Sequence, residues 1–168
     1  MNRLPLLLLL SLAYFSTRQV FNSAIIQLPD PFSSKMGPNS LDVLIIGAGP
    51  AGLSAALTLA RQLHTAVVFD SNVYRNELSN HMHTVATWDH KDPREFRSAT
   101  RTEILKRYGT ISFVDTPIER VEKGANEVFT ATARDGRSWQ GSRILLATGV
   151  RDLAPDIKGY GNCWGRGM

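Results

Sequence analysis

The sequence predicts an α/β domain with a parallel central sheet, and three observations support this fold class. Residues 41–46 (LDVLII) and 66–69 (AVVF) are uninterrupted apolar runs, typical of strands buried on both faces of a parallel sheet. A third run, RILLATG at 143–149, follows several short strand-like segments. Between the first two runs, apolar residues recur at the helical spacing, at Leu53, Ala56, Leu57, Ala60 and Leu63. We therefore expect a three-layer domain with a β-meander inserted between its second and third parallel strands.

The composition is that of a packed globular protein. Of the 168 residues, 43% are hydrophobic and 20% are charged, a balance that excludes a disordered chain. The net charge of +4 is mild and the sequence contains no long basic run, which argues against a nucleic-acid partner. Cys163 is the single cysteine, so the chain holds no internal disulfide, no multi-cysteine zinc site and no CxxC pair.

Residues 1–40 differ in composition from the predicted domain at 41–168. Residues 4–15 (LPLLLLLSLAYF) follow Arg3 and are similar to a signal-peptide core, but they are shorter than the about 20 residues that span a bilayer. Residues 27–40 contain three prolines and form a predicted linker. A signal peptide, a weak membrane anchor and an extension upstream of a start at Met36 are the alternatives. We favour the third and a cytoplasmic location, with the secretory pathway or membrane anchoring through residues 4–15 as the alternative.

A glycine fingerprint, GAGPAG at 47–52, joins the first strand to the helix. Gly47 permits the tight turn, Gly49 lets a pyrophosphate approach the backbone, and Gly52 allows the helix to pack closely on the strand. The helix N-terminus offers N–H groups and partial positive charge to the phosphates. Asp70 ends the second strand, where its carboxylate can accept hydrogen bonds from a ribose diol and repel a 2′-phosphate. The pattern therefore favours FAD or NAD over NADP; the alternative is a glycine turn without a ligand.

A long irregular segment at 71–92 carries three of the histidines. Its length favours a functional loop, and we interpret it as a covering loop that meets a flavin ring and ribityl chain. A metal site formed by His81, His83, Asp89 and His90 is one alternative, and a solvated loop is the other. We predict no metal, because an HxH pair without a helical or hairpin frame is a weak signal.

A second helix is predicted from Asp92 to Tyr108. Asp92 can cap it, Pro93 suits its first turn, Glu95 completes a capping box and Gly109 ends it. Its basic face is expected to be solvated and comprises Arg94, Arg97, Arg101, Lys106 and Arg107.

The chain then becomes β-rich. Asp135-Gly136 is a strong hairpin signal. A β-meander at this point favours a flavoprotein arrangement over a simple NAD dehydrogenase, in which strands and helices continue to alternate. The predicted short strands are 111–114, 118–122, 128–133 and 138–141.

These segments together resemble thioredoxin-reductase-like flavoproteins, a class of pyridine nucleotide–disulfide oxidoreductases. The resemblance covers about residues 42–167 and rests on DVLIIGAGPAGLSAALTLAR and RILLATG. AVVFDSNVYRN at 66–76, HMH at 81–83, WDH at 88–90 and GYGNCWGRG at 159–167 are similar to the fungal gliotoxin-type dithiol oxidases, which close disulfides in secondary metabolites.

The resemblance implies a Rossmann-like FAD-binding domain and a role for each matched position. Asp70 binds the adenosine ribose, Arg75 and Asn76 lie along the cofactor, and His81 and His83 lie near the ribityl chain or flavin. The pyrophosphate is held by Gly47, Gly49, Pro50, Ala51 and Gly52. A second strand-end turn beside the FAD is formed by Ala147, Thr148 and Gly149.

The function that the resemblance implies is a thiol–disulfide oxidoreductase whose substrates are small-molecule dithiols or disulfides. In the family, a CxxC pair follows the segment that matches 163–167. This chain has no such pair, so we assign no catalytic residue and expect the chain alone to be inactive. The resemblance also implies that the final strand of the domain and the NAD(P)-type domain are missing, so that the chain is a truncated N-terminal part.

Alternative functions stay open at this point. The chain could be a non-catalytic FAD-binding or dinucleotide-binding remnant, or a partner subunit, in which an open sheet edge supports a homo-oligomer or pairing with a full-length homologue. A small NAD dehydrogenase is disfavoured because no catalytic set follows the first βαβ unit. An unstable translation product without a function is the last alternative.

Overall fold

The computed structural model describes residues 40–124 and 127–163, which contain six strands and three helices. The predictions for residues 1–39 and for 164–167 lie outside these ranges. The elements are β1 (Leu41–Ile46), α1 (Pro50–Arg61), β2 (Ala66–Phe69), α2 (Pro93–Arg107), β3 (Ile111–Val114), β4 (Ile118–Lys123), β5 (Phe129–Ala133), β6 (Ser138–Leu146) and α3 (Tyr160–Cys163).

The strands form one mixed sheet in the order β3-β2-β1-β6-β5-β4. Strand β1 pairs in parallel with β2 and β6, and β2 pairs in parallel with β3. Strands β4, β5 and β6 are joined by antiparallel pairing. The carboxyl ends of the four parallel strands therefore meet at one edge of the sheet, which is where open α/β sheets bind ligands.

The two faces of the parallel strands are covered by different structures, which confirms the predicted three layers. On one face, Ile45 packs with Leu53 of α1 and Ile104 of α2. On the other face, Phe69 packs against Trp139 of the antiparallel strands, with ring centroids 4.9 Å apart. Helices thus cover one face of the parallel strands, and residues of the antiparallel strands pack against the other face.

The position of the meander differs by one strand from the prediction. Residues 111–114 were expected to belong to the β-rich stretch, but β3 pairs in parallel with β2, with Ala66 opposite Ile111. The reason is that α2 returns the chain to the sheet edge, so that β2, α2 and β3 form a second crossover unit. The meander is therefore inserted between the third and fourth parallel strands.

Strand β6 is continuous, whereas the sequence predicted separate strands at 138–141 and 143–149. Its first half pairs with β5, where Trp139 lies opposite Ala131, and its second half pairs with β1. Gly141 is the residue at which both pairings meet, and a Cβ there would lie 2.8 Å from Leu44 Cγ. The glycine lets one strand turn from the antiparallel part into the parallel part without a break.

The helix boundaries agree with the prediction apart from two details. The helical spacing predicts Leu63 on the apolar stripe of α1, but it lies beyond the helix at φ 63° and is 78% exposed. Asp92 caps α2 through the N–H of Arg94 at 2.7 Å, rather than through Glu95 as a capping box requires. Among residues 40–124 and 127–163, no helix has the length and apolarity needed to cross a bilayer.

Candidate cofactor-binding cleft

A cleft of about 1130 Å³ opens at the carboxyl ends of β1, β2 and β6. It is lined by the segments that follow these strands and by the start of β4. The lining residues are 46–51, 69–71, 73–76, 116–118 and 146–152.

Two fingerprint glycines are required by the packing of the chain itself. Gly47 has φ +110°, and a Cβ at this position would lie 2.3 Å from the carbonyl oxygen of Ala147. A Cβ at Gly52 would lie 1.9 Å from the carbonyl oxygen of Gly47. Neither neighbour is a flexible side chain, so both positions exclude any larger residue. Strand β1, the turn, α1 and the end of β6 are therefore in direct backbone contact.

Gly49 is different, because no atom lies within 4 Å of the Cβ that it lacks. It is the N-cap of α1, with extended backbone angles and no side-chain cap. Internal packing does not explain a glycine here. The bare backbone faces the cleft beside the N–H groups that every helix N-terminus leaves without intrahelical partners. This geometry fits an anionic group that approaches closely, such as a pyrophosphate.

Asp70 lies where the sequence predicted it, directly after β2. The residue lines the cleft although it is only 5% exposed. The Oδ1 atom accepts the N–H of Asn72 at 2.8 Å, and Oδ2 accepts the hydroxyl of Tyr74 at 2.5 Å. The backbone N–H of Asp70 donates to Val114 O at 2.9 Å, which ties the residue to the end of β3.

The sequence does not predict the contact between Arg97 and Tyr74, the tyrosine that is hydrogen-bonded to Asp70. The Cζ atom of Arg97 lies 3.7 Å from the centroid of the Tyr74 ring, and Nη1 donates to Asn76 Oδ1 at 3.0 Å. Arg97 was expected on a solvated face, but it is 9% exposed, because the segment after β2 folds back against α2. A buried arginine on a helix predicted to be solvated cannot be found from helical spacing alone.

Arg75 connects two sides of the cleft. Its guanidinium donates two hydrogen bonds to Asp152, from Nε at 2.9 Å and from Nη2 at 3.0 Å. This contact raises the pKa of Arg75 and lowers the pKa of the Asp152 carboxyl. The segment after β2 is thereby joined to the segment after β6.

The predicted second turn lies beside the first. The N–H of Ala147 donates to Ile46 O at 2.8 Å, which continues the β1–β6 pairing to the cleft. Thr148 and Gly149 follow on the cleft surface, and Gly149 has φ +66°.

The histidine segment lies outside the cleft lining, so the expected proximity of His81 and His83 to a flavin stays a prediction. His83 Nδ1 lies 3.6 Å from Asp89 Oδ1, and His90 Nε2 lies 3.5 Å from Asp89 Oδ2. The N–H of Thr84, as the largest cause, and both histidines lower the pKa of Asp89. The structure thus brings together three of the four residues considered for a metal site, all of them exposed.

Most of the predicted cofactor residues converge on this one cleft. Gly52 packs beneath it against Gly47, and the two histidines lie apart from it. The ten that line it are Gly47, Gly49, Pro50, Ala51, Asp70, Arg75, Asn76, Ala147, Thr148 and Gly149.

Comparison with known proteins gives a consistent family match. The family model described as pyridine nucleotide-disulphide oxidoreductase matches residues 41–167. The thioredoxin reductase sirT of Leptosphaeria maculans is 50% identical over 130 residues, which are 77% of this chain and 40% of that protein. The thioredoxin reductase aclD of Aspergillus oryzae is 48% identical over 124 residues, 73% of this chain and 39% of that protein.

Solved structures match the same part of the chain. The structure of HlmI is 34% identical with a TM-score of 0.72, covering 78% of this chain and 42% of that one. An oxidoreductase from Agrobacterium tumefaciens is 36% identical with a TM-score of 0.71, covering 76% of this chain and 42% of that one. The chain therefore spans about 40% of the length of the relatives that it matches.

Proposed function

Because the chain belongs to the pyridine nucleotide-disulphide oxidoreductase family and is similar to its thioredoxin reductases, we propose that residues 41–168 are the FAD-binding portion of a thiol–disulfide oxidoreductase. The observation that carries this proposal is the contrast among the fingerprint glycines. Gly47 and Gly52 are required by neighbouring backbone, whereas Gly49 faces open space in the cleft. A glycine at this place leaves room beside the N-terminus of α1 for a pyrophosphate to approach the backbone.

The residues of the cleft suit the two polar parts of a dinucleotide. The backbone at 47–51 and the N-terminus of α1 would hold the pyrophosphate, and Asp70 would accept hydrogen bonds from the adenosine ribose. A carboxylate at this position disfavours a 2′-phosphate, because the two negative charges would repel each other. FAD is favoured over NAD because a meander covers the sheet face, and because the relatives are thioredoxin reductases.

FAD supplies reversible two-electron transfer when it is bound. The contribution of this chain is to bind and orient it. Thiol–disulfide exchange also needs a pair of thiols, and the 168 residues contain one cysteine, Cys163, which is exposed. We expect these residues alone to bind FAD without turnover.

The finer assignment is to the dithiol oxidases of fungal secondary metabolism, with a small-molecule dithiol or disulfide as the substrate and a cytoplasmic location. It is supported by the resemblance of residues 66–76 and 159–167 to that group.

Titration of the purified chain with FAD, followed by quenching of flavin fluorescence, tests the proposal. We expect saturable binding that Gly49→Ala weakens at least about tenfold, since a methyl group would occupy the space of the pyrophosphate. The cost of this change in folding free energy should be about 1 kcal/mol or less, the value of an N-cap substitution.

Gly109→Ala is the matched control. Gly109 also has no atom within 4 Å of its missing Cβ, but it lies outside the cleft. This variant should bind FAD like the unaltered chain. Folded protein that takes up no FAD would contradict the proposal, and saturable NADH binding without FAD binding would favour a dehydrogenase instead.

A further inference from the structure

The carboxylate of Asp70 is held on both oxygens by groups of its own chain. The N–H of Asn72 donates to Oδ1 at 2.8 Å, and the hydroxyl of Tyr74 donates to Oδ2 at 2.5 Å. A carboxylate offers about four acceptor positions, two on each oxygen. One position therefore remains on each oxygen, at a residue that lines the cleft.

Arg97 in turn contacts the ring of Tyr74. The guanidinium of Arg97 stacks on its ring at 3.7 Å, and the same guanidinium is fixed by its hydrogen bond to Asn76 at 3.0 Å. Arg97 is 9% exposed, so this stack is largely shielded from water, where cation–π contacts are strongest. The result is a fixed chain of contacts that runs from Arg97 through Tyr74 to Asp70.

The protonation state of Tyr74 suits a permanent donor. Burial of the ring, together with the hydrogen bond to Asp70 and the charge of that carboxylate, raises the pKa of Tyr74 to about 12. The hydroxyl therefore keeps its proton throughout the neutral pH range and can donate to Oδ2 there.

We propose that Tyr74, held by Arg97, is a positioning residue that presents the two free acceptor positions of Asp70 to the two hydroxyls of the adenosine ribose. The inference rests on the proposed function, because it concerns the same cleft. It adds that the specificity for a ribose diol depends on Tyr74 and Arg97, which do not belong to the glycine fingerprint.

The test measures binding of two probes, FAD and its analogue with 2′-deoxyadenosine, to the full 168-residue chain. The unaltered chain should bind FAD more tightly than the deoxy analogue, because one hydrogen bond to a charged group is lost. Tyr74→Phe should weaken FAD binding about tenfold and change binding of the analogue much less, so that the preference for the ribose diol disappears. Tyr108→Phe, at a tyrosine outside the cleft, is the matched control and should leave both affinities unchanged.

Arg97→Lys is a second variant that keeps the charge but removes the planar stack. It should reduce the preference for FAD over the analogue in the same direction as Tyr74→Phe. Urea unfolding of each variant shows whether the fold is intact.

Two results would overturn the inference while leaving the proposed function in place. One is FAD binding that Tyr74→Phe does not change. The other is an equal loss of affinity for both probes, which would make Tyr74 a structural residue only. Failure of the unaltered, folded chain to bind FAD would instead overturn the proposed function and this inference with it.

Discussion

The β1–α1 turn and the segment between β2 and α2 both carry predicted cofactor residues, but they are held by different forces. At the turn, backbone meets backbone: Gly47 N–H donates to Phe69 O at 2.9 Å, and Gly52 packs on the carbonyl of Gly47. Such contacts are short and buried, and they leave little freedom for the chain. The position of the turn relative to the cleft is therefore determined by the packing of the sheet and α1.

The segment between β2 and α2 relies more on exposed side chains. Its anchor is Met82, which is 9% exposed and whose N–H and C=O pair with Lys91 and His90. Around this anchor, His83 and His90 contact Asp89 with all three side chains more than half exposed. Pairs of this kind are screened by water and salt. The comparison teaches that predicted cofactor residues can differ widely in how strongly the fold determines their positions.

The largest effect is expected from Gly52→Ala. The new methyl group would lie 1.9 Å from a backbone carbonyl that cannot move without displacing the turn. We expect a loss of about 3 kcal/mol or more in the free energy of unfolding, measured by urea denaturation. Gly49→Ala is the control on the same turn, with a loss of about 1 kcal/mol or less. Equal stability of the two variants would show that backbone contact does not hold the turn.

The elements that sequence predicted well are those with a strong local pattern. The apolar runs gave β1 and β2 with their observed bounds, and the end of β2 gave the position of Asp70. The predictions failed where a contact distant in the sequence decides the structure. Gly141 joins two pairings in one strand because Leu44 approaches it, and Arg97 is buried because Tyr74 stacks on it. Neither contact leaves a periodic signal in the sequence.

A smaller effect is expected from His83→Ala. Because its contact with Asp89 is exposed, the urea midpoint should stay within experimental error of the unaltered chain. FAD binding should weaken, but less than in Gly49→Ala, if the segment reaches the flavin as the family resemblance implies. His90→Ala removes the other contact of Asp89 and a ring contact with His83, whose centroid lies 4.6 Å away, but it keeps both predicted cofactor histidines. It should therefore weaken FAD binding less than His83→Ala does. Equal FAD binding by the His83→Ala variant and the unaltered chain would remove His83 from the cofactor site.

The smallest effect concerns acid stability, and it compares a carboxylate of the sheet with one of the segment between β2 and α2. Partial burial disfavours ionisation of Asp42 in β1, but hydrogen bonds from the N–H and hydroxyl of Thr65, at 2.7 Å and 3.0 Å, and the nearby His64 outweigh it, so its pKa lies below 3.8. A lowered folded-state pKa contributes stability that is present above the unfolded value and is lost as the pH falls through the folded value.

The unaltered chain should therefore lose part of its stability below about pH 4, and Asp42→Asn should lose less over the same range. The measurement is the urea midpoint of each protein at about pH 6 and about pH 3. Asp89→Asn is the matched control. The pKa of Asp89 is also lowered, but Asp89 contacts an exposed segment, whereas Asp42 ties β1 to the residue before β2. The acid response could instead change more in Asp89→Asn than in Asp42→Asn. That result would contradict the prediction, because the exposed contacts would then contribute more to folding than the contact at the sheet.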